Sequence, residues 1–365
     1  MKGYLGKLIF GAVVISLVLT GCGQTGTQDV SADPESVPGF YLTDSFGREV
    51  FIPDEAENIA CLYSFAGYAV SLLGRGDDLV AVPDGLQRDV MLVDMIPQVG
   101  EAAVPRKSGK INIEELLRQD PDVVIIRGDT ARDEKEMEQL EKAGLNYVVV
   151  EYTNIEEQQQ AISIIGEAIG CTQKAKTFND YYNDVIERVG EVVDSIPEDR
   201  RTRMYHSENQ ALRTTHSSTL PADWSGMAGV VSVSVGEQLN LVNNDYYASL
   251  EQVLLWNPDV IIANENSAVK YILGNPQWSG IKAVQDGRVY QLPQGISRWG
   301  HPGSVETPLA ILWTAKTVYP ELFGHIDMES EVEYFYKEFF GYRLSSDMIG
   351  QILSGEGLRK HKGEV

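Results

Sequence analysis

The chain has 365 residues, 43% of them hydrophobic and 9% aromatic, with 30 Lys and Arg against 53 Asp and Glu and only 3 Cys. That length provides for roughly two domains with real cores, and the composition argues against a disordered chain. A formal charge of −23 disfavours nucleic acid as a partner, because phosphates are repelled, and three cysteines cannot build a disulfide framework.

In chain order, Lys2 and Lys7 come first, followed by an apolar run from Leu8 to Leu19 broken only by Gly11 and Ser16. Such a run, about a dozen residues long, suits the h-region of a signal peptide; a membrane span needs roughly 20. Leu19-Thr20-Gly21-Cys22 follows and resembles the lipobox of bacterial lipoproteins. The resemblance implies removal of residues 1–21, a diacylglycerol on Cys22 and an extracytoplasmic protein anchored to the membrane by lipid. Residues 22–39, rich in Gly, Thr, Ser, Asp and Pro, read as a flexible tether.

Alternating strand and helix patterns then begin. Strands are expected at Ile59–Tyr63, Leu79–Val82, Val123–Ile126 and Tyr147–Val150, with helices at Ala66–Leu73 and Asp133–Ala143. Ala175, Phe178, Tyr182, Val185, Val189, Val192 and Ile196 recur at three- or four-residue steps, predicting one long amphipathic helix stopped by Pro197. Further strands are expected at Arg203–Tyr205, Val260–Ala263 and Val289–Leu292. The strongest internal signal is a repeat: Ile113 to Ile125 (IEELLRQDPDVVI) returns as Leu250 to Ile262 (LEQVLLWNPDVII). Each copy reads as a short helix ended by Pro-Asp and then a fully apolar buried strand. The expected fold is α/β: two Rossmann-like lobes with parallel sheets, residues 40–154 and 201–320, joined by one long α-helix within a linker at 155–200. A helical C-terminal extension is expected over 321–365.

The leader, the tether, the two lobes and the repeated phrase together resemble the substrate-binding lipoproteins of ABC importers for iron–siderophore complexes, heme and cobalamin. Thr43 to Val50 with Ile52-Pro53 resembles that family's opening hairpin, and Gly295 to Gly300 resembles its closing region, as do Trp313 to Lys316 and Tyr319 to Glu321. Phe335 to Tyr342 resembles a C-terminal extension of some members. The resemblance implies a monomer that is not an enzyme, holds no covalent cofactor and captures an iron complex, a ferric siderophore or heme. It also implies a permease dimer with its ATPase as partner, docked through Glu114 and Glu251, whose bland alternative is an acid in a helix's first turn. Cobalamin, a metal or oxyanion ligand, or a sensor role beside a membrane receptor are the alternatives.

Ligands of α/β sheets sit beyond the carboxyl ends of the strands. There the first lobe offers Tyr63, Arg88 and Arg127, and the second offers Tyr205, Arg213, His216 and Trp224, with Arg298, Trp299 and His301 in the closing loop. Arginine forks suit anions and aromatic rings supply flat walls, so this set points to a bulky, anionic, partly hydrophobic ligand. Arg88 and Arg127 read equally well as surface ion pairs, and Trp224 as core. His206, His216 and His301 with Glu265 are an alternative ligand set for a bare Zn²⁺ or Mn²⁺, though no tight His-x-His or His-x₃-His spacing occurs. Tyr63 or His216 as an axial ligand to heme iron stays open. No P-loop, G-x-S-x-G elbow or H-E-x-x-H motif is present.

Overall fold

The computed structural model describes residues 38–107 and 109–356. The expected leader, Cys22, nearly all of the tether and the last residues of the extension lie outside them. Gly39, at the end of the expected tether, already opens a strand: Gly39–Thr43 pairs antiparallel with Glu49–Pro53. This hairpin docks on the first lobe through Asp44, whose carboxylate accepts from Val149 N at 3.1 Å and pairs with Arg48.

Two four-stranded sheets carry the fold. The first runs Leu79–Ala81, Ile59–Cys61, Val123–Arg127, Tyr147–Val150; the second runs Val231–Ser232, Arg203–Ser207, Val260–Ala263, Val289–Gln291. Every pairing in both sheets is parallel. Numbered in chain order within each lobe, the strands lie 2-1-3-4 in both. The strands read as continuous apolar runs because helices cover both faces of a parallel sheet, and Val123–Ile126 and Val260–Ala263 are buried throughout.

The sequence repeat is also a structural one. The helices Ile113–Leu117 and Leu250–Trp256 are capped by Asn112 and Ser249, whose side chains accept from the backbone of Glu115 and Gln252. Asp120 and Asn257 both adopt the left-handed conformation (φ 46° and 43°), turning the chain ahead of proline. Each Pro-Asp carboxylate then fastens the start of the neighbouring strand. Asp122 accepts from Glu57 N and Asn58 N at 2.8 Å, and Asp259 accepts from Arg203 N at 3.1 Å.

Between the lobes run the helices Ile155–Ala168 and Thr172–Val193, the second of 22 residues. Its buried stripe includes Ala175, Phe178, Tyr182, Val185 and Val189; Val192 is half-buried, and the helix ends at Val193, ahead of the half-buried Ile196 and of Pro197. The C-terminal helix Met328–Phe340 lies against it: Phe339 contacts the rings of Phe178 and Tyr181, both at 5.2 Å between centroids, and Glu331 pairs with Arg188. Among the described residues no helix is long and apolar enough to cross a membrane.

Candidate functional site

In a 2-1-3-4 sheet the strand order reverses between strands 1 and 3, and the loops leaving their carboxyl ends diverge to open a crevice. In the first lobe that switch point lies between Ile59–Cys61 and Val123–Arg127. Tyr63 follows one strand and Arg127 ends the other, and the guanidinium carbon lies 5.3 Å from the Tyr63 ring centroid. Arg127 is half exposed, and its nearest carboxylate, Asp129, stands 3.5 Å away with most of its side chain in water. Arg88 sits beyond the edge strand, its buried Nε 3.6 Å from the Asp84 carboxylate and without a hydrogen bond. Both first-lobe arginines are thus only loosely neutralised.

Tyr152, two residues past Tyr147–Val150, completes the first-lobe side. Its hydroxyl lies 3.0 Å from that of Tyr63 and bonds the Pro302 carbonyl on the second lobe. A carbonyl only accepts, so Tyr152 donates to Pro302 and Tyr63 donates to Tyr152. Burial pushes both phenols up, Tyr152 well above the usual range, which keeps both as donors at neutral pH. This chain of two hydroxyls joins the lobes at the seam.

The second-lobe candidates Arg213 and Arg298 are paired more tightly with carboxylates. Arg213 pairs with Glu208 at 2.9 Å and Asp245 at 2.8 Å. Burial pushes the Glu208 carboxyl up, and Arg213 opposes it. Arg298 bridges that lobe's own switch point, donating to Asn209 at 2.7 Å and Glu265 at 2.5 Å. His216 stacks face to face on Tyr246 with centroids 4.3 Å apart. His301 is half-buried in the loop that carries Pro302, its Nδ1 accepting from Gly303 N at 3.1 Å.

Three expected cleft residues are core instead. Tyr205 is fully buried, donates to the Ala211 carbonyl and packs beside Trp256 and Trp278. Trp224 is fully buried and donates to the Gly300 carbonyl at 2.8 Å, and Trp299 is fully buried and donates to Glu306 at 3.0 Å. The reason is shared: each ring turns into the core, where its polar atom meets an acceptor and its surface leaves water. The alternative metal set is not brought together either. His206 is fully buried with both ring nitrogens engaged, by Thr215 at 2.9 Å and Asn264 at 2.7 Å, and Glu265 is held by Arg298. Among the described residues no group of three or more metal-ligating side chains forms. Glu114, with 89% of its side chain exposed, and the exposed Glu251 sit at matching places in the two repeat helices.

His206 carries a testable consequence. Burial lowers its pKa from 6.5 to about 4, so the folded protein keeps it neutral where the unfolded chain takes up a proton. Stability is therefore lost as pH falls from 6.5 towards 4, by about 3 kcal/mol for this group alone. Urea midpoints of the native protein and His206→Gln between pH 7 and 4 should converge as pH falls; parallel curves contradict the assignment.

Comparison with known proteins adds four findings. Residues 59–295 match the family described as periplasmic binding protein. The chain is 25% identical over 335 residues to the molybdate-binding protein MolA of Haemophilus influenzae, covering 82% of this chain and 90% of the relative. It is 23% identical to YvrC of Bacillus subtilis, an uncharacterized ABC transporter substrate-binding lipoprotein, over 86% and 98% of the two chains. The solved structure of molybdate-bound MolA superposes with a TM-score of 0.74 at 24% identity, covering 84% of this chain and 99% of that one, and shares the fold.

Proposed function

This chain belongs to the periplasmic binding proteins, and from that premise we propose that it captures a compact anionic solute, a metal oxyanion or small anionic metal chelate, at the seam of its lobes. It is a solute-binding protein of an ABC importer and not an enzyme. The observation that carries the ligand class is Arg127 laid over Tyr63 at the first-lobe switch point, a half-exposed cation paired only at 3.5 Å with the exposed Asp129, while Arg213 and Arg298 lie within 3 Å of Glu208, Asp245 and Glu265. A guanidinium matches an oxyanion or carboxylate with two parallel hydrogen bonds. The molybdate named for the Haemophilus relative belongs to this chemical class.

The iron complexes expected from the sequence, ferric siderophore or heme, and likewise cobalamin, need broad apolar walls. Tyr205, Trp224 and Trp299 lie in the core, and among the described residues Tyr63 and Tyr152 are the aromatic rings bonded at the seam. That supports the smaller ligand. Delivery is to a permease dimer, with Glu114 and Glu251 as the docking residues and a lipid on Cys22 holding the protein at the membrane. A gene neighbourhood with a kinase in place of a permease and an ATPase would favour the sensor reading.

Titration calorimetry with molybdate, tungstate, sulfate, phosphate and a ferric hydroxamate, alongside an absorbance spectrum of protein purified from its host, tests the ligand class. Saturable binding of one oxyanion by a colourless protein is expected. A Soret band, or ferric charge-transfer absorption without oxyanion binding, contradicts it.

A further inference from the structure

Glu306 is completely buried, and among the described residues no basic group pairs with it. Four neutral donors converge on its two oxygens instead. Ser297 N at 2.8 Å and Ser297 Oγ at 2.7 Å reach one oxygen; Trp299 Nε1 at 3.0 Å and the Tyr336 hydroxyl reach the other. The Tyr336 oxygen also accepts from Ile296 N at 2.9 Å. Glycine at 295 is required by this packing, since a Cβ there would lie 2.0 Å from a Glu306 oxygen and 2.1 Å from the Tyr336 hydroxyl.

A buried carboxylate without a cation is costly, and a hydrocarbon of the same shape would fill the space with less penalty. What a hydrocarbon cannot do is direct hydrogen bonds. Three of the four donors belong to the loop from Gly295 to Ser304, and that loop carries Arg298, His301 and Pro302 on the cleft side. Its far end is held as well, by Trp224 on the Gly300 carbonyl and by Gln158 on the Ser304 carbonyl. The fourth donor comes from the helix Met328–Phe340, whose Tyr336 makes the described hydrogen bonds to this loop and to Glu306. Tyr342, just beyond that helix, reaches Asp94 of the first lobe at 2.8 Å.

We propose that Glu306 and Tyr336 are positioning residues for solute capture: the carboxylate and the phenol fix the loop 295–304, so the C-terminal extension shapes a cleft it does not line. The proposal rests on the seam being the solute site. Burial raises the Glu306 carboxyl above its ordinary value, and the hydrogen bonds from Tyr336, Ser297 and Trp299 oppose that rise.

Tyr336→Phe removes one donor and the Ile296 acceptor without changing shape, and Glu306→Gln replaces an acceptor oxygen by donors. Phe335→Leu, in the same helix, is the packing control, because it loosens the core without touching these hydrogen bonds. Two quantities are measured, molybdate affinity by calorimetry and amide exchange of residues 295–304 in solute-free protein. Both polar variants should lose about tenfold in affinity and exchange 295–304 at least about tenfold faster, while Phe335→Leu shows neither change at a similar or larger loss of melting temperature. Unchanged exchange in Tyr336→Phe, or equal effects in Phe335→Leu, overturns the proposal. If molybdate fails to bind the native protein, the ligand class falls, and the exchange comparison still decides whether this pair fixes the loop.

Discussion

Replacing Glu114 and Glu251 together with alanine is expected to abolish uptake while leaving solute affinity within about twofold of the native value. The two residues occupy the same position in two copies of one structural phrase, second in a helix whose cap is Asn112 or Ser249. Neither is needed for the fold: Glu114 is almost wholly in water, 4.0 Å from Arg118, and such a pair is worth little. If each were only an acid favoured by a helix's first turn, its loss would cost about 0.3–1 kcal/mol of stability and nothing else. As desolvated partners of basic residues on a permease they would be worth about 2–5 kcal/mol each, so the double variant loses transport by roughly a thousandfold while each single variant loses part. Transport assays in vesicles, with calorimetry on the same proteins, make the comparison. Equal loss of affinity and uptake, or undiminished uptake, removes the docking assignment.

Arg127→Ala is expected to weaken oxyanion binding by about a hundredfold, the loss of one charge-assisted bidentate contact. The guanidinium is held ready by the Tyr63 ring and is not consumed by Asp129, so alanine removes recognition with little damage to the fold. Arg127→Lys should recover only part, because an ammonium is a point charge without the planar fork. The second-lobe arginines behave differently. Removing Arg213 leaves Glu208 buried without its partner, so that variant should melt earlier before any effect on binding is read. Calorimetric affinity of Arg127→Ala equal to native places the anion elsewhere.

The fold was legible where burial imposes a period. Fully apolar runs marked Val123–Ile126 and Val260–Ala263, the stripe from Ala175 to Val189 marked the long helix, and the Pro-Asp phrase marked the duplication that the shared strand order bears out. The two-residue strand Val231–Ser232 was not legible, since it is too short to show a period. The hairpin Asn240–Val242 and Asp245–Tyr247 had a signal, consecutive asparagines at positive φ, that the pattern of helices and strands obscured.

The site was legible only in part, because sequence places a residue in a loop without saying which way its side chain turns. Tyr63 and Arg127 come together because one follows and the other ends a strand at the switch point, a matter of topology. Tyr205 lies within the strand Arg203–Ser207 and Trp224 within the helix Leu220–Met227, and with Trp299 they turn inward to acceptors on residues 211, 300 and 306. The pairing of Arg298 with Glu265 spans 33 residues and follows no local spacing. Tyr152 was within reach of the strand-end rule, since it follows Tyr147–Val150 just as Tyr63 follows Ile59–Cys61. Glu306 carried no signal at all, as its meaning depends on Tyr336, thirty residues away.

Crystals of the protein purified with its natural solute give the most direct test of the central claim. Electron density for a small anion between Arg127 and Tyr63 on one side and the loop from His301 to Gly303 on the other, within hydrogen-bonding distance of the Arg127 guanidinium, is the result the account predicts. A solute bound away from this seam, or bound there with Arg127 turned out to water, would contradict it.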